Sequence, residues 1–195
     1  MEKLKSLDMV VIKQKVEWLE IFSGYETKNK YSVFDSYSNE IYFAAEKSSF
    51  LSRIFLKALR PLEVHIINLD GIGVFKIKKL FRLFFHEGIV ESFGGKIIGS
   101  VKRKFSILSK EFVLKNENGA EIYKIKAGAM HPWTFKIYKN GEEVGEIIKK
   151  WSGLSKEIFT DADNFTVKFP LGTTVEEKAL LISTAFLADL VYFEK

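Results

Sequence analysis

Apolar and polar residues alternate along most of this chain. The segments "GVFKIK", "EIYKIK" and "TFKIYK" place every second side chain in the apolar class, the two-residue period of a strand with one buried face. "VHII", "EFVLK", "YSVFD", "EIYFAAE", "GSVKRKFSIL", "VGEIIKK" and "NFTVKF" alternate or run apolar in the same manner. Polar turn clusters separate them: "SYSNE" at 36 to 40, "NLDGIG" at 68 to 73, "SFGGK" at 92 to 96, "NENGAE" at 116 to 121 and "YKNGEE" at 138 to 143. Asp70-Gly71, Asn118-Gly119 and Asn140-Gly141 supply the positive φ angles that tight primed hairpin turns need. Ten to twelve short strands result, and no proline- or serine-rich linker divides them. The pattern predicts one continuous antiparallel sheet.

The period changes at the end. "TTVEEKALLISTAFLADLVYFEK" opens with Thr173 or Thr174 as N-cap and Glu176 or Glu177 three residues on, a capping-box arrangement. From Ala179 to Phe193 nearly every position is apolar on all sides, so the helix is buried either in protein or in lipid. Fifteen residues span only about 22 Å against a hydrocarbon core of about 30 Å. Asp189 near a bilayer centre would cost roughly 2.5 to 3.5 kcal/mol. Length and charge favour a helix enclosed by the sheet, closed as a barrel. In that setting Asp189 must be neutral or paired with a wall Lys, Arg or backbone amide, acting as a polar anchor for helix register. The whole chain, 1–195, reads as a single domain, with residues 1–15 as a lead-in and 173–194 as the central helix.

Composition narrows the function. Eighteen phenylalanines against three prolines suit a sheet whose interior is filled by rings. The absence of cysteine excludes disulfides, thiolate catalysis and palmitoylation, and implies a reducing compartment. "MEKLKSLDMVVIKQK" lacks the apolar core and small-residue site of a secretory signal. A net charge of +5 favours anionic partners, acidic lipid surfaces or nucleic acid, and is also compatible with ordinary solubility charge. His65, His86 and His131 lack ligand spacing, and there is no nucleophile motif, phosphate-cradling glycine loop or organised carboxylate pair. Bond chemistry is therefore not expected.

The order "WLEIFSGYETKNKYSV", "EIYFAAE", "RPLEVHI", "KKWSGLSKEIFTDADNF", "FPL" and "AFLADLVYFE" resembles the phospholipid scramblase family over almost the whole chain. That family is similar in fold to the tubby C-terminal domain, so the resemblance implies a mainly β protein: a closed antiparallel barrel of about twelve strands around a hydrophobic C-terminal helix. It also implies a cytoplasmic protein, peripheral on the inner face of a membrane, associated with calcium-stimulated, ATP-independent movement of phospholipids between leaflets. The tubby relatives suggest an alternative, an adaptor that binds phosphoinositide or other anionic headgroups without transport. A nuclear, nucleic-acid-binding regulator is a third reading, which the charge allows but no helix-turn-helix or zinc-finger spacing supports.

Departures from the family pattern point to candidate sites. Family members typically carry cysteine clusters; here the corresponding stretches read "KSSFLSRIFLKALRP" (47 to 61), "KIKKLFRLFFHEG" (76 to 88) and "AGAMHPWTF" (127 to 135). In the second, Lys76, Lys78, Lys79 and Arg82 surround Leu80, Phe81, Leu83, Phe84 and Phe85, the combination of a segment lying in a bilayer interface. Lys78, Lys79, Leu80, Phe81, Arg82, Phe84 and Phe85 are the expected membrane contacts. The competing reading is a core strand with snorkelling lysines. Lys102, Arg103 and Lys104 extend a cationic face or form a solvated strand end. "GEIIKKWSG" corresponds to a family segment implicated in nuclear import but alternates like a strand.

The resemblance also proposes Ca2+ at Asp161, Asp163 and Asn164. An EF-hand loop needs oxygen ligands at its first, third and fifth positions, a glycine at the sixth and a glutamate at the twelfth. Counting from Asp161, those later positions hold Phe165, Thr166 and Gly172, and only Asp163 fits after the first. The expected structure is a polar turn entering a strand, with an incomplete calcium site at its start.

Overall fold

The computed structural model describes residues 1–15, 29–47, 61–79, 86–150 and 164–193. Within them run β1 (Met9–Lys15), β2 (Lys30–Phe34), β3 (Glu40–Lys47), β4 (Leu62–Asn68), β5 (Gly73–Lys79), β6 (Glu87–Ser92), β7 (Ile97–Lys104), β8 (Ser109–Asn116), β9 (Glu121–Gly128), β10 (Thr134–Lys139), β11 (Glu142–Lys150) and β12 (Asn164–Lys168). Each strand pairs antiparallel with its sequence neighbour, and β1 closes the ring against β12, with Met9 opposite Lys168 and Lys13 opposite Asn164. Closure removes both sheet edges, so every strand finds two partners. The expected lead-in is corrected here: β1 is a wall strand, pairing with β2 and β12 and turning Val10 and Ile12 into the core.

Consecutive antiparallel pairing sends alternate connections to opposite rims. The five sequence-predicted hairpins all lie at one rim. Four of them share one design. Asp35, Asn68, Ser92 and Asn116 each donate the backbone N–H to the carbonyl of the residue four on, and each backbone carbonyl accepts from the amide three on. Asn68 Oδ1 also accepts from Asp70 N and Ile72 N, Asn116 Oδ1 from Asn118 N and Ala120 N, and Asp35 Oδ1 from Tyr37 N and Asn39 N. The residue three on has positive φ in every case: Ser38, Gly71, Gly95 and Gly119. This is a type I turn followed by a bulge residue, so the expectation of primed turns is corrected at Asp70-Gly71 and Asn118-Gly119. Asn140-Gly141, with both φ angles positive, keeps the primed form.

The chain enters the barrel through the helix α1 (Val175–Ala188), continued by a π-helical turn at Asp189–Phe193. Thr174 is the N-cap: its hydroxyl accepts from Glu177 N while Glu177 Oε2 accepts from Thr174 N. Every residue from Lys178 to Leu190 is buried, and the helix shares one core with the inward side chains of the strands. Its own hydroxyls are satisfied internally, Ser183 on the Ala179 carbonyl and Thr184 on that of Leu180, so no polar group on the shaft demands water. The helix lies closest to β6 and β7, where two glycines make room. A Cβ at Gly88 would meet Leu187 Cδ1 at 2.7 Å, and one at Gly99 would meet the Lys115 carbonyl and stand 3.1 Å from Leu180 Cδ1.

Ser38 is the exception among the four matched hairpins, a non-glycine at φ 65° where the others use glycine. The left-handed region costs an L-residue roughly 1 to 2 kcal/mol, part of which glycine returns through its larger unfolded entropy. Ser38→Gly is expected to stabilise the protein by up to about 1 kcal/mol in chemical denaturation; a loss of stability would contradict the shared turn design.

Candidate functional site

The rim opposite the hairpins surrounds the C-terminal end of the helix, and its interior is polar. Asp189, at the end of α1, accepts from Lys149 Nζ at 2.8 Å and from Tyr31 Oη at 2.9 Å. The Lys149 side chain is 0% exposed and also lies over the rings of Phe165 and Phe193. Lys149 occupies this place because β11 alternates: Ile147 points inward, so Lys149 two residues on does too. At the opposite end of the helix, Lys178 is buried and donates to the carbonyls of Leu4, Lys5 and Leu7, at 2.8, 3.0 and 2.6 Å. Burial lowers the Lys178 pKa. The helix is therefore held at both ends by buried charge.

The same inward phase brings further cations to this mouth. Lys79 on β5, His86 before β6, Arg103 on β7 and Lys110 on β8 continue the inward positions Phe75 and Ile77, Gly88, Val101 and Phe112. Arg103 Nε donates to Tyr192 Oη at 3.0 Å, and Lys110 lies 4.2 Å from the Phe193 ring centroid. Burial, then the charges of Lys79 and Arg103, push the His86 imidazole down to about 4, and its Nδ1 is buried without a hydrogen-bond partner. Burial, then Lys149, lowers Lys110. Burial raises the Tyr192 phenol, and Arg103 draws it back. Glu46, fully buried, joins a chain in which Gln14 donates to Asn29 and Asn29 donates to Glu46 Oε2 at 2.7 Å.

Strand ends show the asymmetry between the rims. At the mouth, β1, β2, β3, β5, β7 and β11 all terminate or begin with lysine, while Glu87 is the one acidic strand end; the hairpin rim has two lysines and three glutamates at its strand ends. Cations on the barrel wall are neutralised instead: Lys76 and Lys78 on Glu91, Lys126 on Glu111, Lys136 on Glu143 and Glu146, Lys168 on Glu146. The two connections at the mouth that are described in full expose apolar residues. Phe105, Ile107 and Leu108 are 74, 87 and 79% exposed in the β7–β8 loop, and Met130 and Trp133 are exposed in the β9–β10 loop. Lys110 Nζ donates to the Pro132 carbonyl, tying the β9–β10 loop to the start of β8.

The expected membrane contacts fare unevenly. Lys79 is 2% exposed and cannot touch a headgroup, because β5 keeps its two-residue period to its last residue and turns Lys79 inward; this corrects the expectation. Lys78 is half-buried on the outer wall and bonded to Glu91 at 2.6 Å, which raises its pKa. Leu80, Phe81, Arg82, Phe84 and Phe85 lie outside the described residues, as do Asp161 and Asp163. Asn164 opens β12, and its buried Oδ1 has no hydrogen-bond partner. Among the described residues no group of three or more His, Asp or Glu could hold a metal. His65 is bonded to Glu63 at 2.7 Å, and His131 is exposed in a turn. The buried Lys149 also removes one of the two lysines from the nuclear-import reading of "GEIIKKWSG".

Breaking a buried pair leaves an uncompensated charge at a cost of about 3 to 5 kcal/mol, whereas replacing both partners by apolar groups is often neutral. Asp189→Leu and Lys149→Met are each expected to destabilise by that amount, with the double variant recovering most of the loss in denaturant unfolding. Unchanged stability in Asp189→Leu would remove the anchor role. His86 titrates higher in the unfolded chain than in the folded one, so between about pH 6.5 and 4 the unfolded state binds the extra proton and stability falls as pH falls. The contribution is up to about 3 kcal/mol, and His86→Gln is expected to flatten that part of the pH profile.

The Scramblase family model matches residues 1–195. Human phospholipid scramblase 1 is 32% identical over 208 residues, covering all of this chain and 65% of the relative, so the chain spans slightly less than two thirds of that protein. Human phospholipid scramblase family member 5 is also 32% identical, with 77% of it covered, and human phospholipid scramblase 2 is 31% identical, with 70% covered. No solved structure matches. The match of the family model from end to end, with relatives at this identity, places the chain in the phospholipid scramblase family.

Proposed function

We propose that this protein is a scramblase-like barrel that works peripherally at phospholipid membranes and takes part in ATP-independent redistribution of lipids between leaflets. The observation that carries the reading is the enclosure of α1. The most apolar stretch of the described chain is used inside the barrel, and no helix among the described residues is long and apolar enough to cross a membrane. Contact with lipid then falls to the outside of the barrel and its loops. Names of the relatives supply the substrate class, phospholipid.

The same enclosure supports a second reading, an adaptor that binds anionic lipid and transports nothing. A helix fixed at both ends by Lys178 and the Lys149–Asp189 pair offers no polar groove for a headgroup along its shaft. Stimulation by calcium through Asp161, Asp163 and Asn164 is the finer version of the first reading.

Reconstitution into vesicles carrying a fluorescent lipid, with dithionite added outside, separates these. Bleaching beyond the outer-leaflet half is expected for a scramblase, and bleaching that stops at half in vesicles that retain bound protein establishes the adaptor. A calcium-dependent rate that is lost in Asp161→Ala is the expected signature of the ion; a rate indifferent to both removes calcium from the function.

A further inference from the structure

We infer that the barrel docks on anionic phospholipid bilayers end-on, with the β7–β8 and β9–β10 loop tips inserted and the lysine-rich mouth against the headgroups. The inference rests on the membrane reading above and specifies which surface carries it. Phe105, Ile107 and Leu108 occupy three of four consecutive positions at the tip of one loop, nearly fully exposed. Met130, at 89% exposure, and Trp133 stand on the next loop along the rim, which the Lys110–Pro132 bond ties to the start of β8, just after the first loop. Phe105, Ile107, Leu108 and Met130 present most of their surface to solvent, where an apolar phase can receive them.

Charge selects the partner. Lys104 and Lys150, exposed, end strands β7 and β11 at this rim, as Lys47 ends β3, while Arg103 and Lys110 line the mouth just behind the tips. Apolar tips backed by cations match the acyl boundary and the phosphates of an acidic leaflet, which lie at successive depths in that order. The hairpin rim fails the same test. It also exposes apolar residues, among them Tyr37, Ile72 and Leu171, but beside Asp35, Asp70, Glu121 and Glu142, which an anionic surface repels. The barrel wall fares worse because Lys76, Lys78, Lys126 and Lys136 on it are already paired with glutamates.

The chain has no cysteine, so a single thiol can be introduced and labelled with an environment-sensitive fluorophore. With vesicles of phosphatidylcholine and phosphatidylserine, label at Ile107→Cys is expected to shift to the blue and gain intensity, and label at Ile72→Cys on the hairpin rim is expected to stay unchanged. In flotation, the double variant Ile107→Asp, Leu108→Asp is expected to bind at least tenfold more weakly than wild type. Lys104→Glu is expected to lose binding to the anionic vesicles selectively, and pure phosphatidylcholine is expected to bind poorly throughout. Exposed positions leave folding intact, which circular dichroism checks. If wild type floats with anionic vesicles and the double variant floats equally, end-on docking is overturned while the membrane reading stands. Wild type that floats with no vesicle overturns the membrane reading itself, and a blue shift at Ile72→Cys alone would reverse the orientation.

Discussion

The ion pair between Lys149 and Asp189 is the interaction on which the arrangement depends. An apolar helix slides easily along an apolar tube, since burial is non-directional and one register hides nearly as much surface as the next. A carboxylate at its end changes that. Desolvated and unpaired it would be strongly disfavoured, so the helix settles where Asp189 reaches both the Lys149 ammonium and the Tyr31 hydroxyl. Lys178 imposes the matching condition at the other end, where its three N–H groups are taken up by three carbonyls of the N-terminal turn. Two buried charges thus convert a slippery core into a single register, and glycines 88 and 99 set the side of the barrel against which the helix leans.

Holding the helix by charge has a consequence for the mouth. A wall lysine must point inward near the C-terminal end of α1, and the strand period that delivers it also delivers Lys79, Arg103 and Lys110 to the same space. They tolerate one another through separate devices: stacking on Tyr192 and Phe193, a hydrogen bond to Tyr192, and an imidazole at His86 kept neutral by its surroundings. The positive mouth is thereby tied to the core of the fold, and the loops that overhang it carry the exposed apolar tips. Structural anchoring and the exposed apolar loop tips thus occupy one end of one barrel.

Much of this was legible in the linear pattern. Two-residue alternation predicted the strands, and the polar clusters at 36 to 40, 68 to 73, 92 to 96, 116 to 121 and 138 to 143 marked all five hairpins. The capping box and the all-round apolar run marked the helix and its enclosure. Errors arose where a local cue met a longer-range rule. Lys79 read as an interfacial cation because its neighbours are Lys78 and Phe81, yet the phase of β5 decides its direction. The dipeptides Asp70-Gly71 and Asn118-Gly119 do not fix the turn type, because Asn68 and Asn116, two residues earlier, bring their side chains onto the turn amides. β1 is hard to read from sequence because its apolar run sits among charged residues with no turn signal before it.

Sequence alone determined the periods, the caps, the turns and the need of Asp189 for a partner, since each is a property of neighbouring residues or of one buried charge. Closure of β1 on β12, the gathering of Lys79, Arg103, Lys110 and Lys149 at one mouth, and the choice of Lys149 and Tyr31 as the partners of Asp189 were decided by tertiary structure. Those groups lie 40 and 158 residues from Asp189 or on five different strands. Only the closing of the barrel, which aligns the inward phases of strands far apart in the chain, brings them within reach of one another.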